Sequence, residues 1–333
     1  MRAVVVLAIA IAGACAAPSD RERFLDDREF RRAALSEQLV TTTNDYGRAR
    51  LAHFGKDWDD LPVWNPTALD LDVSPDDRPA LRTLGEQAFF GYPTQLWQAG
   101  GDHLVRVETA AGVRTAATCA TCHAGERDGV VVPGLASMID VGLGPGRVDV
   151  TTPDGREPLR IPDLRPVREQ RYLQASAAVR QRDVISLAVR IETLIITAHH
   201  ETVRPPPIVA LALAEYLWSL APPPPAPPRT AAEVHGATLF AARCATCHEA
   251  GERVPVGRVG TDPVAAQSRD RGTGMYRAPS LRGVADRLLL LHDGSVHSLA
   301  DLLDPARVAP GHRFGTTLPA ADRADLVAFL STL

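Results

Sequence analysis

The chain contains the pentapeptide Cys119-Ala-Thr-Cys122-His123 and repeats it as Cys244-Ala-Thr-Cys247-His248. Cys-x-x-Cys-His is the pattern by which haem c is attached to a protein. Two thiols three residues apart on a helical turn reach the two vinyl groups of one porphyrin, and the next residue then lies under the ring. Its imidazole can bind the iron on the proximal side. The two copies predict two covalently bound haem c groups, with His123 and His248 as iron ligands.

Two other chemistries use the same cysteine spacing. A Cys-x-x-Cys pair can form half of a zinc site or a redox-active disulfide. A zinc site of this kind completes its set of four ligands nearby, whereas each copy here brings its own histidine and the copies lie 125 residues apart. The pattern therefore favours haem over zinc or a disulfide.

Length and charge limit the classes of function. The 333 residues allow two ordinary domains and an extension. The net charge is −4, so the chain lacks the basic field that nucleic-acid-binding proteins carry. We therefore expect no nucleic-acid partner.

The fifth cysteine, Cys15, ends a short apolar stretch near the N-terminus. Residues 1–17 have the form of a signal peptide and are too short to span a membrane. Ala12-Gly13-Ala14-Cys15 resembles a lipoprotein box, which would end the signal before Cys15 and attach lipid to it; the alternative is ordinary cleavage after Ala14 or Ala17. Both routes predict export to the periplasm, and the first adds an outer-membrane anchor. No other segment predicts a transmembrane span.

A proline run divides the rest of the chain. Residues 221–228 contain six prolines, which lack amide donors and favour a stiff extended form. We predict an irregular N-terminal extension over 18–78, a first cytochrome c-like domain over 79–220, this run as a linker, and a second such domain over 229–333.

The two predicted domains form an internal repeat. Each opens with a helix carrying Gly and Phe and closes with an amphipathic helix, predicted over 208–220 and 319–333. Between them, the segment 159–167 matches 276–284 at an offset of 117 residues. An insert at 103–116 alternates in polarity and predicts a hairpin. The repeat predicts an all-α fold of two tandem haem domains.

The sixth iron ligand decides between electron transfer and catalysis, because only a vacant axial position admits a substrate. His199 and His312 each lie 21 residues before the end of a closing helix, at the same place in the repeat. We predict them as distal ligands, with His200 as the competitor of His199. Met138 and Met275 are the alternatives, but the repeat does not support them.

Two pairs of arginines also recur in both copies, Arg160 with Arg277 and Arg165 with Arg282. Guanidinium groups suit the carboxylates of haem propionates. A structural salt bridge explains the same residues equally well, so both interpretations stay open.

These residues together resemble the bacterial di-haem cytochrome c peroxidase/MauG superfamily, over roughly residues 79–333. The second half carries the resemblance best, in its haem motif, Tyr276-Arg-Ala-Pro-Ser-Leu-Arg-Gly-Val284, His292-Asp-Gly294 and Gly311-His312. The resemblance implies that His312 is the axial ligand of an electron-transfer haem. In the peroxidases the first domain holds the reactive haem, with a His and a Trp in the loop after its motif. Here no His occurs between Ala124 and Ala198.

Two functions follow from these observations. The leading hypothesis is an exported electron carrier whose irons are bound by His123 with His199 and by His248 with His312. It would take electrons from one redox protein and pass them to another. The alternative is a peroxidase or MauG-like oxidase with one accessible iron, for which the sequence offers Glu126, Glu157, Glu169 and Glu192 as acids without selecting one.

Overall fold

A computed structural model of the protein describes residues 17–67, 69–149, 157–249 and 251–333. Cys15 and nearly all of the predicted signal peptide lie outside the described residues.

The described helices fall into two groups along the chain. The first group is α1 (Asp20–Asp26), α2 (Arg28–Gln38), α3 (Asp45–His53), α4 (Arg78–Gly91), α5 (Cys119–His123), α6 (Val184–Ala198) and α7 (Pro207–Ser219). The second group is α8 (Ala231–Arg243), α9 (Ala245–His248), α10 (Val256–Val259), α11 (Val264–Gln267), α12 (Leu299–Leu303) and α13 (Ala320–Leu330). Single 3-10 turns occur at Asp57–Asp60, Val167–Glu169 and Val284–Asp286.

Short antiparallel strands connect the helices. They are β1 (Gln95–Leu96), β2 (Leu104–Thr109), β3 (Gly112–Ala117), β4 (Ala124–Arg127), β5 (Val130–Pro133), β6 (Arg147–Val148), β7 (Leu159–Arg160), β8 (Tyr172–Leu173), β9 (Val179–Arg180), β10 (Arg253–Pro255) and β11 (Met275–Arg277). One sheet has three strands in the order β1-β3-β2, and the others are pairs. The predicted hairpin is confirmed as β2 and β3, with Arg106 opposite Thr115.

The all-α prediction is wrong, because helix accounts for 41% and strand for 14% in a mixed α/β fold. The strands lie in the connections between helices, where β-branched residues such as Val130 to Val132 favour an extended chain. Buried backbone amides and carbonyls need partners. Short ladders such as β4 with β5 supply them where the chain is too irregular for a helix.

The first hydrophobic cluster is built around α4, α6 and α7. The prediction of an amphipathic closing helix is wrong for α7, because every residue from Val209 to Leu217 is buried and the helix has no exposed face there. The N-terminal extension adds aromatic side chains to the same cluster, among them Phe24 and Trp58. The extension is therefore part of this core.

The second cluster repeats the arrangement on a smaller scale. Phe240 of α8 packs with Leu326 and Leu330 of α13. Gly85 of α4 lies against the Ala212 carbonyl of α7, and Gly236 of α8 lies against the Asp325 carbonyl of α13. Residues 212 and 325 differ by the repeat offset of 113. In both halves, glycine is what lets the opening helix approach the backbone of the closing helix.

The two halves meet along a loop of the second half. Arg147 donates from Nε to the Asp293 carbonyl at 2.9 Å and from Nη2 to the Gly294 carbonyl at 2.7 Å. Arg160 donates from Nε to the Leu291 carbonyl at 2.8 Å. These bonds fix a backbone that holds Leu291 at a positive φ of 63°, a conformation that costs energy for a bulky residue. The contact orders the loop that carries His292.

Among the described residues, no helix has both the length and the apolar character needed to cross a bilayer.

Candidate functional site

One cavity of about 910 Å³ lies between the two halves. Both pentapeptides open onto it, with Cys119, Cys122 and His123 on one side and Cys244, Cys247 and His248 on the other. Apolar side chains of α6, α7, α12 and α13 form much of the wall. Its volume is near the upper end of the range for ligand pockets, about 300–1,000 Å³. The fold therefore brings the two predicted attachment sites to one apolar space.

The first pentapeptide is a single helical turn, α5, held by Thr121 within it and by Thr118 just before it. Thr118 and Thr121 both donate from their hydroxyl groups to the His103 carbonyl, at 2.9 and 3.0 Å. Burial raises the pKa of Cys119 to about 12 and of Cys122 to about 11. The four motif thiols form no disulfide. The raised pKa keeps the Cys119 and Cys122 thiols protonated, and a protonated thiol is a poor nucleophile.

The two motif histidines are oriented alike. His123 Nδ1 lies 3.1 Å from the Pro162 carbonyl oxygen, and His248 Nδ1 lies 2.9 Å from that of Pro279. A carbonyl oxygen only accepts, so Nδ1 carries the proton in each ring and Nε2 keeps a free lone pair for a metal. Burial lowers the pKa of both imidazoles, to about 4 for His123. Each ring is thus in the neutral, metal-binding form.

His312 faces His248 across the cavity, with ring centres 6.1 Å apart. A first-row metal ion binds an imidazole nitrogen at about 2.1 Å, and the ring centre lies about 1.1 Å behind it, so two rings on opposite sides of one ion have centres about 6.4 Å apart. Burial and the neighbouring His248 lower the pKa of His312 to about 4. Separation and protonation both suit a pair of axial ligands.

The backbone around His312 fixes this position. Its amide donates to the Val259 carbonyl at 2.7 Å. His312 adopts a positive φ of 46°, and the preceding Gly311 one of 76°. Gly311 is pressed against the backbone of Thr261, where a side chain would have no room. This turn, which carries backbone strain, directs the imidazole of His312 into the cavity. The buried Nδ1 atom of His312 has no hydrogen-bond partner.

His199 lies elsewhere. It follows α6, is 8% exposed, and packs edge-on against Trp64 with ring centres 4.6 Å apart. It is not among the cavity-lining residues, although its buried Nε2 has no partner. His200 is exposed, and the cavity lining includes neither Met138 nor Met275. His199 as an iron ligand stays a prediction.

Arginine dominates the charge along the described part of the cavity. The acidic residues there are Asp149 and Asp163, against seven arginines: Arg160, Arg190, Arg243, Arg258, Arg271, Arg277 and Arg287. Burial lowers the pKa of Arg160, Arg277 and Arg287 to about 10 each, and their mutual repulsion adds to this. Buried cations that lie close together destabilise the fold unless anions neutralise them. The donor set fits the propionate carboxylates of haem.

The structure separates the two recurring arginine pairs. Arg160 and Arg277 line the cavity, and neither has a carboxylate within salt-bridge distance among the described residues. Arg165 instead binds Asp163 at 2.8 Å and Asp286 at 2.9 Å. Arg282 binds Glu169 at 2.7 Å. The propionate interpretation therefore suits the first pair and the salt-bridge interpretation the second.

Sequence reasoning missed other cavity residues, notably Arg190, Arg271 and Arg287. When the two halves are aligned at the offset of 117 residues, Arg287 corresponds to Gln170. The repeat therefore did not single out Arg287, because no arginine recurs at this position. The proposed acids Glu126, Glu157, Glu169 and Glu192 do not line the cavity. Burial raises the pKa of Glu192, which pairs with Arg204 at 2.5 Å.

Residues 234–333 match the family model for cytochrome c. The matched part includes the second pentapeptide, and the match supports covalently bound haem c there. The match covers less than a third of the 333 residues.

Two solved structures are similar to the chain. Hydrazine synthase from Kuenenia stuttgartiensis is 15% identical with a TM-score of 0.48, covering 81% of this chain and 96% of its own. A MauG-like protein associated with microbial copper homeostasis is 19% identical with a TM-score of 0.48, covering 82% of this chain and 92% of its own. At these values neither structure fixes the activity of this chain. No curated protein sequence matches it.

Proposed function

We propose that the protein is an extracytoplasmic di-haem c-type cytochrome that passes electrons between redox proteins. The haems would be attached at Cys119 with Cys122 and at Cys244 with Cys247. The observation that carries the proposal is the 6.1 Å separation of the His248 and His312 ring centres. An iron bound on both sides by imidazole has no position left for a substrate and exchanges electrons only.

The haem supplies a one-electron carrier, and the chain sets its surroundings. The Pro162 and Pro279 carbonyls orient the proximal rings, which strengthens imidazole as a ligand. Arg160 and Arg277 supply positive charge for propionates. The apolar part of the wall would lower the polarity around the haem, which tunes the reduction potential together with the axial ligands.

The first test is a haem count with a spin-state measurement. A pyridine haemochrome assay should give two covalently bound haems per chain, and Cys244→Ser with Cys247→Ser should leave one. His312→Ala should convert one haem from a low-spin to a high-spin ferric species in absorbance and EPR spectra. His297→Ala, at an exposed histidine of the same half, is the matched control. An unchanged spectrum in His312→Ala would refute the closed second site.

A second candidate is a peroxidase or MauG-like oxidase with an accessible first iron. The observation that favours it is the position of His199, whose ring packs on Trp64 outside the cavity lining. The unmodified ferric protein would then show one high-spin haem, bind cyanide there, and turn over hydrogen peroxide. Two low-spin haems that resist cyanide would exclude this candidate and support His199 as the second ligand of the first iron.

Export and lipid attachment at Cys15 are part of the proposal. The mass of the mature N-terminus distinguishes the routes, because lipidation leaves a diacylglycerol on Cys15 and ordinary cleavage does not. Cys15→Ser should release the protein from the membrane fraction. Release of the unmodified protein without detergent would refute the anchor.

A further inference from the structure

Tyr46 lies where three parts of the molecule meet. It is 3% exposed and belongs to α3 of the N-terminal extension. Its amide donates to the Asp270 carbonyl at 2.9 Å, and the Asn44 side-chain amide donates to the Gly272 carbonyl at 3.0 Å. The extension is thereby bound to residues 269–272 of the second half, while Arg50 donates to the Thr197 hydroxyl of α6 at 3.3 Å.

Three guanidinium groups surround the Tyr46 ring, and each comes from a different part of the chain. The Cζ atoms of Arg50, Arg271 and Arg190 lie 3.5, 5.3 and 6.0 Å from the ring centre. Cation–π attraction holds such groups against the face of a ring. Tyr46 therefore positions three cations that would otherwise repel one another.

These cations are poorly neutralised by the described residues. Asp270 lies 3.1 Å from Arg271, but no carboxylate of the described residues lies within salt-bridge distance of Arg50 or Arg190. Arg190 Nη1 is buried without a hydrogen-bond partner. Burial lowers the pKa of Arg50 to about 10 and also lowers that of Arg190. Uncompensated buried cations are strongly destabilising, so the group is incomplete without an anion.

The cavity indicates which anion completes it. Arg190 and Arg271 both line the cavity. Arg190 lies on α6, whose Leu187 and Ile195 belong to the same cluster that Cys119 packs against. We propose that Arg190 and Arg271, positioned by Tyr46, bind a propionate carboxylate of the haem attached at Cys119 and Cys122. This inference rests on the proposed function, and it makes the N-terminal extension part of the first haem site.

The site would raise the reduction potential of the first haem. Reduction adds one negative charge, which nearby cations stabilise, and an unpaired propionate would instead favour the ferric state. We expect Arg190→Gln or Arg271→Gln to change the ferric–ferrous equilibrium constant about tenfold toward ferric, which is about 59 mV for a one-electron couple. Arg190→Lys, which keeps the charge, should shift it less.

Redox titration monitored by absorbance measures both midpoint potentials. The haem whose spectrum is unaltered by His312→Ala is the first. Arg269→Gln is the control: its side chain is 87% exposed and pairs with Asp45 at 3.1 Å, so it removes a positive charge and a contact with the extension from the same loop without changing the cavity lining. If Arg190→Gln does not accumulate, Arg271→Gln decides. An equal shift in Arg271→Gln and Arg269→Gln, or a shift confined to the second haem, would overturn the inference.

Tyr46 itself is tested by two variants. Tyr46→Phe keeps the ring and should retain the potential of the first haem, whereas Tyr46→Ala should lower it. Equal potentials in both would refute the positioning role. A haem count separates this inference from the proposed function: a chain without haem at the first motif overturns both, whereas two haems with unshifted potentials overturn only this one.

Discussion

Gly236 offers a sharp test of the repeated helix crossing. A methyl group at this position would lie 2.8 Å from Phe329 Cβ and closer still to the Asp325 carbonyl oxygen, both on α13, whereas ordinary contacts begin at 3.4 Å. The helices would have to separate by at least about 0.6 Å. Overpacking of this kind costs about 1–3 kcal/mol, partly offset by up to about 1 kcal/mol from the better helix propensity of alanine. We expect Gly236→Ala to destabilise the protein.

Urea denaturation of the holoprotein, followed by circular dichroism, measures the effect. Gly85→Ala should behave in the same way, because its methyl group would meet Tyr216 Cβ at 2.7 Å. Gly91→Ala is the control, since Gly91 ends α4 and nothing lies within 4 Å of the added methyl group. If Gly85→Ala and Gly236→Ala were as stable as Gly91→Ala, the close helix crossing would be refuted.

Two further predictions concern charged side chains. Asp59 pairs with the buried Arg31 and also lies 3.7 Å from Arg204. Asp59→Asn should therefore lower the free energy of unfolding, measured by urea denaturation, by about 3–5 kcal/mol. An unchanged urea midpoint would contradict the buried network. His235 contacts Asp325 at 2.8 Å, and this hydrogen bond raises the pKa of His235. The contact stabilises the fold fully at pH values below about 6.5, the ordinary pKa of histidine, and this stabilisation is lost as the pH rises through the raised pKa of His235. We therefore expect His235→Gln to flatten the pH dependence of the free energy of unfolding over that pH range.

Much of the helical frame could be predicted from the sequence. The closing helices were expected at 208–220 and 319–333 and occur at Pro207–Ser219 and Ala320–Leu330. In α13 the buried residues Leu326 and Leu330 lie one helical turn apart, as the apolar period predicts, whereas α7 is buried on all sides from Val209 to Leu217. The small sheets could not be predicted in the same way, because pairs such as β6 with β7 have two residues per strand. So short a segment shows no periodicity.

The histidines illustrate a second limit. The repeat offset locates His199 and His312 at corresponding places along the chain, but it does not determine where each ring points. His199 directly follows the 15-residue helix α6, whereas His312 follows a glycine in a turn with positive φ. The direction of the side chain depends on that local backbone. Arg190 and Arg271 were missed because only the folded chain brings them to Tyr46.

The raised pKa of the first pair of motif thiols bears on how the protein matures. A thiol must approach the thiolate state to react readily, yet burial raises the pKa of Cys119 to about 12 in the folded chain. Cofactor attachment therefore belongs to a stage before the cavity walls close. A haem held at the first pentapeptide would then be in place before the two halves assemble, and a chain without it would fold around a cavity whose arginines repel one another.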